Sequence, residues 1–333
     1  MKILVTGGAG YIGSHTVREL IGKGYDIIVY DNLTTGHEWA VKDCELIIGD
    51  IADITQLEKV LDQHNIKAVI HFAASSLVGE SVIDPSKYYE NNVLGSKRLF
   101  DVLISKGVKK IVFSSTCATY GIPEMIPITE KEKQAPINPY GWTKLIIEQI
   151  LKDYGNAYGL NSIALRYFNA AGAAYEERLG EDHNSESHVI PLILEALTGK
   201  RETFSLFGED YDTADGSCIR DYIHVKDLAT AHVLAVEKLL EKRSEANIGS
   251  FDFFNLGTGA GISVLELVTE AEKITGKKVP LRICNRRDGD PPILVADNSK
   301  AITQLNWNPI YSSLSNIVNS AYKWELIKQT HNK

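Results

Sequence analysis

Cysteine is scarce, with four in 333 residues, and Cys44, Cys117, Cys218 and Cys284 stand far apart without a Cys-x-x-Cys pair. That spacing argues against a disulfide framework and against a thiolate metal knot. The nine histidines contain no His-Glu-x-x-His, so the sequence assigns no metal. No basic run occurs, and a net charge of −8 argues against a nucleic-acid partner. Apolar runs of bilayer-spanning length are also missing, and no leader-like segment precedes "ILVTGG". These absences lead to the expectation of a reduced, cytoplasmic protein with no membrane partner. No repeat or low-complexity tract interrupts the chain, and 333 residues suit about two domains.

What is present has a regular texture. Short β-rich runs ("KILVT", "DIIVY", "ELIIG", "KAVIHF", "KKIVFSS", "NSIALRYF") alternate with stretches of helical spacing over the first 170 residues. Continuous apolar strands separated by helices predict a parallel sheet covered on both faces. The expected fold class is therefore α/β, a doubly wound parallel sheet, followed by a smaller C-terminal mixed α/β unit. Residues 1–170 are expected to form the dinucleotide-binding domain, with a later segment near 218–242 returning to it. Residues 171–333 are expected to form the smaller domain, including "FDFFNLGTGAG" as a strand and turn. There, Ser263 and Glu266 make a capping-box pattern, "VPLRI" reads as a short strand, and 313–328 reads as helix. The polar stretches "AYEERLGEDHNSESH" and "GEDYDTADGS" read as loops, either covering a substrate or lying on the surface.

Ligands of such sheets sit outside the carboxyl ends of the strands. "TGGAGYIGSH" follows the first strand and opens the first helix, with Gly7, Gly10 and Gly13 at dinucleotide spacing. The pattern provides a tight turn, close approach to a pyrophosphate, and free helix N–H groups facing it. It marks a Rossmann-type sheet. Asp31 closes the second strand, where a carboxylate accepts from ribose hydroxyls and repels a 2′-phosphate, which favours NAD over NADP. Asp50 closes the third strand and "HFAA" the fourth.

The fifth strand ends "VFSSTCATYG", which brings Ser114, Ser115 and Thr116 to the same edge. After it, "INPYGWTK" places Pro139 at a helix start, and Tyr140 and Lys144 one turn apart on one face. The spacing alone is weak, since Tyr222 and Lys226 repeat it in "DYIHVK". Position beside the ligand-bearing edge separates the first pair from the second. A free phenol has a pKa near 10, and an ammonium roughly 6 Å away favours phenolate by about 3 kcal/mol at an effective dielectric near 20. The positive ring of bound NAD⁺ and the nearby helix N-terminus push the same way, so Tyr140 is expected to act as general base on a secondary alcohol. Lys144 lowers its pKa and holds the nicotinamide ribose, and Thr116 shares the reacting proton.

With these residues, and with "AVIHFAA", "VGESV", "YYENN", "YFNAAGA", "LFGEDYDTADG", "RDYIHVKDLA", "FNLGTG" and "GDPP" in order, the chain resembles the extended short-chain dehydrogenase/reductase family, in its nucleotide-sugar epimerase branch. The resemblance implies an NAD-dependent isomerase acting at C4 of a UDP-hexose through a 4-keto sugar, interconverting UDP-galactose and UDP-glucose. Another UDP-sugar, such as UDP-N-acetylglucosamine, UDP-glucuronate or UDP-xylose, is the alternative. It further implies NAD contacts at Tyr11, Ile12, Asp31, Asn32, Thr35, Gly36, Asp50, Ile51, Phe72, Ala73, Asn91, Ser114, Lys144 and Tyr167. Implied UDP-sugar contacts, besides Thr116, are Asn169, His188, Val189, Phe207, Arg220, Tyr222, Arg287 and Asp290. The two arginines also satisfy the need of a diphosphate for fixed cations. A homodimer through helices near 87–106 and 140–158 is implied as well.

Three positions depart from the family's commonest pattern: Thr116 for serine, Ser76 for a lysine near the cofactor phosphates, and Leu294 where residue size governs N-acetylated sugars. A 4,6-dehydratase would carry an Asp-Glu pair where this chain has Cys117 and Ala118. A non-catalytic NAD-sensing protein would generally lack the tyrosine–lysine pair.

Overall fold

The computed structural model describes residues 1–184, 186–241, 249–287 and 290–331. Gly289 of the "GDPP" motif and residue 242, the end of the segment expected to return to the sheet, lie outside the described residues. Seven parallel strands form the main sheet. In chain order they are β1 (Lys2–Thr6), β2 (Asp26–Asp31), β3 (Glu45–Ile48), β4 (Ile66–His71), β5 (Lys110–Thr116), β6 (Asn161–Tyr167) and β10 (Phe251–Leu256). Across the sheet they run β10-β6-β5-β4-β1-β2-β3. The order reverses between β1 and β4, which opens a crevice at their carboxyl ends.

Alternation along each strand sends side chains to two opposite cores. Ile3, Val5, Val29 and Ile70 pack with α1 (Tyr11–Gly22), α8 (Val225–Glu241) and α10 (Ser299–Leu305). Leu4, Ile28, Val69 and Phe113 pack instead with α2 (Ile54–Gln63), α5 (Gly95–Ser105) and α6 (Pro139–Tyr158). Two short helices, α3 (Val78–Ile83) and α4 (Pro85–Tyr88), and a π-helical turn, Tyr89–Leu94, lead into α5. α6 starts where the sequence expects. Asn138 caps it by accepting from Gly141 N (2.9 Å), Pro139 occupies its first turn, and Gly159 ends it in the left-handed region.

The smaller unit is built around β9 (Ile219–His224). Beside it run β7 (Asn169–Ala171), β11 (Gly261–Ser263) and β13 (Ile293–Leu294). β8 (Phe204–Phe207) pairs with β12 (Leu281–Cys284), while α7 (Val189–Thr198), α9 (Val264–Thr275) and α11 (Leu314–His331) enclose a third core with them. The capping box at α9 is present, with Ser263 and Glu266 bonded reciprocally.

One expectation is corrected. "FDFFNL" is β10 and belongs to the main sheet, in register with β6 from Phe251↔Ser162 to Leu256↔Tyr167. β6 would otherwise be a bare apolar edge, and β10 satisfies its backbone groups. Of the segment near 218–242 expected to return to the main sheet, α8 covers that sheet, whereas β9 belongs to the smaller unit. The stretch 174–188, read as a loop, holds a 3₁₀ turn, Tyr175–Glu177, and a buried Leu179. Among the described residues, no helix is long and apolar enough to cross a membrane.

Candidate active site

A cleft of about 1000 Å³ runs along the carboxyl ends of the main sheet and continues against the smaller unit. Gly7, Gly10, Tyr11, Ile12 and Gly13 form its floor. Gly7 has φ +71°, and a Cβ there would meet Ala73 N at 2.4 Å; one on Gly13 would meet Gly7 O at 2.3 Å. Only glycine allows this turn to pass so close under its neighbours. Gly10 caps α1 without a side chain, and the first turn carries no acidic residue. Its N–H groups therefore remain available to an anion.

Asp31 closes β2 beside the turn, accepting from Ala9 N and Leu33 N, both at 2.9 Å. Burial raises its pKa, and those two donors oppose the shift. Each carboxylate oxygen keeps a lone pair for ribose hydroxyls. Asn32, Thr35, Ile51, Phe72, Ala73 and Asn91 also line this end. Two expected contacts do not line the cleft. Gly36 lies against the glycine turn, where a Cβ would meet Ala9 C at 2.8 Å. Asp50 instead accepts from Asn32 Nδ2 at 2.9 Å. Taken together, the tight turn, the uncapped helix start and the Asp31 carboxylate fit a dinucleotide. Ser76 lines the cleft as a short neutral side chain, without the charge of the family's lysine.

Ser114, Thr116, Tyr140, Lys144 and Tyr167 converge at the opposite end of the same cleft. Lys144 Nζ donates to Ser114 O (2.8 Å) and lies 5.8 Å from the Tyr140 ring centroid and 4.9 Å from that of Phe113. Ser114 Oγ and Tyr167 Oη share a hydrogen bond of 2.5 Å. Tyr88, whose hydroxyl is tied to Leu77 O and Glu80, meets Tyr140 edge-on.

The electrostatics of the chain alone supply only part of what the expected phenolate needs. Burial pushes Tyr140 far above the ordinary phenol range, with Tyr167 adding to the effect and a hydrogen bond from Thr116 opposing it. Burial brings Lys144 down to about 7, against the pull of Glu148. Desolvation thus outweighs the attraction of about 3 kcal/mol that spacing suggested. The chain by itself holds the proton on the tyrosine.

The part of the cleft expected to take the sugar is assembled from the smaller unit. Asn169, His188, Val189, Tyr222, Arg287, Asp290 and Leu294 line it. Phe207 is not part of the lining and lies under the Arg287 guanidinium, 4.1 Å from the ring centroid. Arg220 is set back from the lining too, donating to Asp290 Oδ1 (2.5 Å) and Ile219 O (2.7 Å). Its charge is compensated where the sequence reading wanted a free cation. The second tyrosine–lysine pair divides, with Tyr222 in the cleft and Lys226 held by Glu177 (3.3 Å) over Tyr311.

Sequence reasoning missed Glu148. It is buried and accepts from Ser115 Oγ (2.5 Å), Arg166 Nε (2.9 Å) and Arg166 NH2 (2.5 Å). A signal existed, because Glu148 stands one further turn along the face of Tyr140 and Lys144. It missed Glu181 and His183 as well, which line the cleft from a stretch read only as polar loop.

A glycine turn, a carboxylate on the second strand and a tyrosine–lysine pair on one sheet edge define a dinucleotide-dependent site of the short-chain dehydrogenase/reductase type. The model of the NAD dependent epimerase/dehydratase family matches residues 3–249, and the chain belongs to that family. It is 53% identical over 323 residues to UDP-glucose 4-epimerase of Rhizobium meliloti (strain 1021), covering 97% of this chain and 96% of the relative. Among solved structures it is similar to UDP-glucose 4-epimerase from Brucella ovis in complex with NAD, with TM-score 0.93 and 50% identity over 96% of this chain and 97% of that one. It is also similar to the Bifidobacterium longum UDP-glucose 4-epimerase in complex with NAD+ and UDP, with TM-score 0.92 and 38% identity over 99% of both chains.

Proposed function

We propose that this protein is an NAD-dependent isomerase that interconverts UDP-galactose and UDP-glucose at C4 through a 4-keto sugar. One observation carries the reading: a single continuous cleft joins the dinucleotide turn, the Tyr140–Thr116–Lys144 group and Arg287. Near-complete coverage of named UDP-glucose 4-epimerases supports the choice of substrate.

In this reading residues 1–170, with α8 and β10, hold NAD, and the remainder of 171–333 holds the UDP-sugar. Bound NAD supplies the carbon that takes hydride from C4 and returns it, and in its oxidised form a positive ring that favours phenolate. Tyr140 Oη accepts the proton of the 4-hydroxyl and later gives it back, with the Thr116 hydroxyl between them. Lys144, anchored on Ser114 O, fixes the nicotinamide ribose and keeps a donor beside the phenol. The keto sugar must turn its opposite face toward the hydride, so the hexose has to be held loosely and UDP firmly. Arg287, stacked on Phe207, suits the firm end, and Tyr222 and Asn169 border the open one. The proposal includes a homodimer and a cytoplasmic setting, which four free cysteines suit.

Incubating the purified protein with UDP-galactose in deuterated water, without added NAD, tests the reading by NMR. UDP-glucose should form with no deuterium at C4, and Tyr140→Phe should lose most turnover while retaining its nucleotide. Deuterium at C4, or a fully active Tyr140→Phe, would overturn it.

A further inference from the structure

Glu181, His183, Glu186 and His188 bring four donor atoms within 4.8 Å of one another, and all but Glu186 line the cleft. We propose that these four side chains form a binding site for one divalent transition-metal ion of the zinc class.

The donor set is the first argument. Two imidazole nitrogens and two carboxylates suit a borderline ion such as Zn²⁺ better than Mg²⁺ or Ca²⁺, which take oxygen alone. Both imidazoles turn the same atom inward. His183 Nδ1 is 3.4 Å from Glu181 Oε1 and 3.6 Å from Glu186 Oε2, and His188 Nδ1 contacts Glu181 Oε1 directly. A tetrahedral zinc with bonds of about 2.05 Å has donor–donor edges of about 3.4 Å. Two of these separations match that edge.

A second argument is independent of the donor count. His183 Nδ1 is buried and has no hydrogen-bond partner. A polar atom so placed is costly unless something satisfies it, and the facing carboxylates, at 3.4 and 3.6 Å, do not meet hydrogen-bond geometry. A cation between them would.

The ligand-bearing stretch is also held from behind. Glu181 O accepts from Trp324 Nε1 (2.8 Å) and Lys328 Nζ (3.2 Å), which fixes that backbone on α11. Glu186 Oε1 accepts from Ser187 N (2.8 Å) and His188 N (2.9 Å), leaving Oε2 turned toward His183. Two carboxylates and a divalent ion sum to zero charge, which suits a partly buried site. His188 is the residue before α7, so the ion would clip the 181–188 stretch to that helix. The His188 ring would keep Nε2–H free to donate toward the cleft.

The test uses untagged full-length protein with its nucleotide, treated with a chelator and then titrated with Co²⁺ and Zn²⁺. Wild type should take up one equivalent per chain, with the intense visible absorption of four-coordinate Co²⁺ that Zn²⁺ abolishes. The double variant His183→Ala, Glu186→Gln alters two ligands and should lose more affinity than the roughly 10- to 100-fold that an outer-shell change costs, with metal-free unfolding temperature unchanged. Should that variant unfold, Glu186→Gln alone should lower the affinity. No stoichiometric binding by wild type, or equal binding by wild type and a folded variant, would overturn the proposal.

Discussion

At Lys144 two demands oppose each other. The chemistry wants a cation beside the phenol, while burial among Phe113, Tyr140 and Ser114 lowers the amine to about 7. At about 1.4 kcal/mol per tenfold change in ionisation, the charged form costs the fold roughly 5 kcal/mol. The folded value lies below the unfolded one, so this cost is fully present below pH 7. It fades as pH rises toward about 10.5, because the unfolded chain binds the proton more tightly across that window. Lys144→Met should therefore stabilise the nucleotide-free chain by a few kcal/mol at pH 6, less about 1 kcal/mol for the lost bond to Ser114. It should give little or no gain at pH 10, while turnover falls at both. Urea unfolding of both proteins at the two pH values measures the difference. The positions of Tyr140, Lys144 and Thr116 were legible from spacing and strand ends. The sign of the tyrosine's shift was not, because it depends on how much protein covers the ring, and a four-residue spacing carries no information about cover.

Among the elements, the turn between β1 and α1 tolerates least. A methyl on Gly13 would stand 2.3 Å from Gly7 O, and backbone cannot yield as a flexible side chain can. Gly13→Ala should lower unfolding free energy by about 1–3 kcal/mol, and nucleotide released on denaturation should fall well below one equivalent. Chromatography of the released nucleotide reads this directly. The turn was fully legible, since strand, glycines and helix are contiguous. β10 was not. "FDFFNL" announces a strand, but nothing local says whether it pairs with β6, about 90 residues earlier, or with nearer neighbours. The Glu148–Arg166 pair was hidden in the same way, because its halves lie on α6 and β6 and meet only after packing.

At the scale of the whole molecule, the exposed apolar side chains of Tyr89, Leu94, Trp142 and Tyr158 fall on the segments expected to pair two chains. Light scattering should give twice the chain mass, and Leu94→Glu should move it toward the monomer value. An unchanged mass for the variant, or a monomeric wild type, would remove those helices as the interface. The sequence could name the segments, since helical spacing shows, but an outward apolar face is distinguishable from an inward one only once the sheet is in place.

The return of α8 and β10 to the first sheet also bears on how the chain is made. A nascent polypeptide halted after β6 would carry Ile70, Val112, Ile163 and Leu165 on a face that α8 has yet to cover. Its newest strand would lie open along one side until residue 256 had left the ribosome. During the synthesis of some ninety residues, that half-roofed intermediate is the natural client of a chaperone.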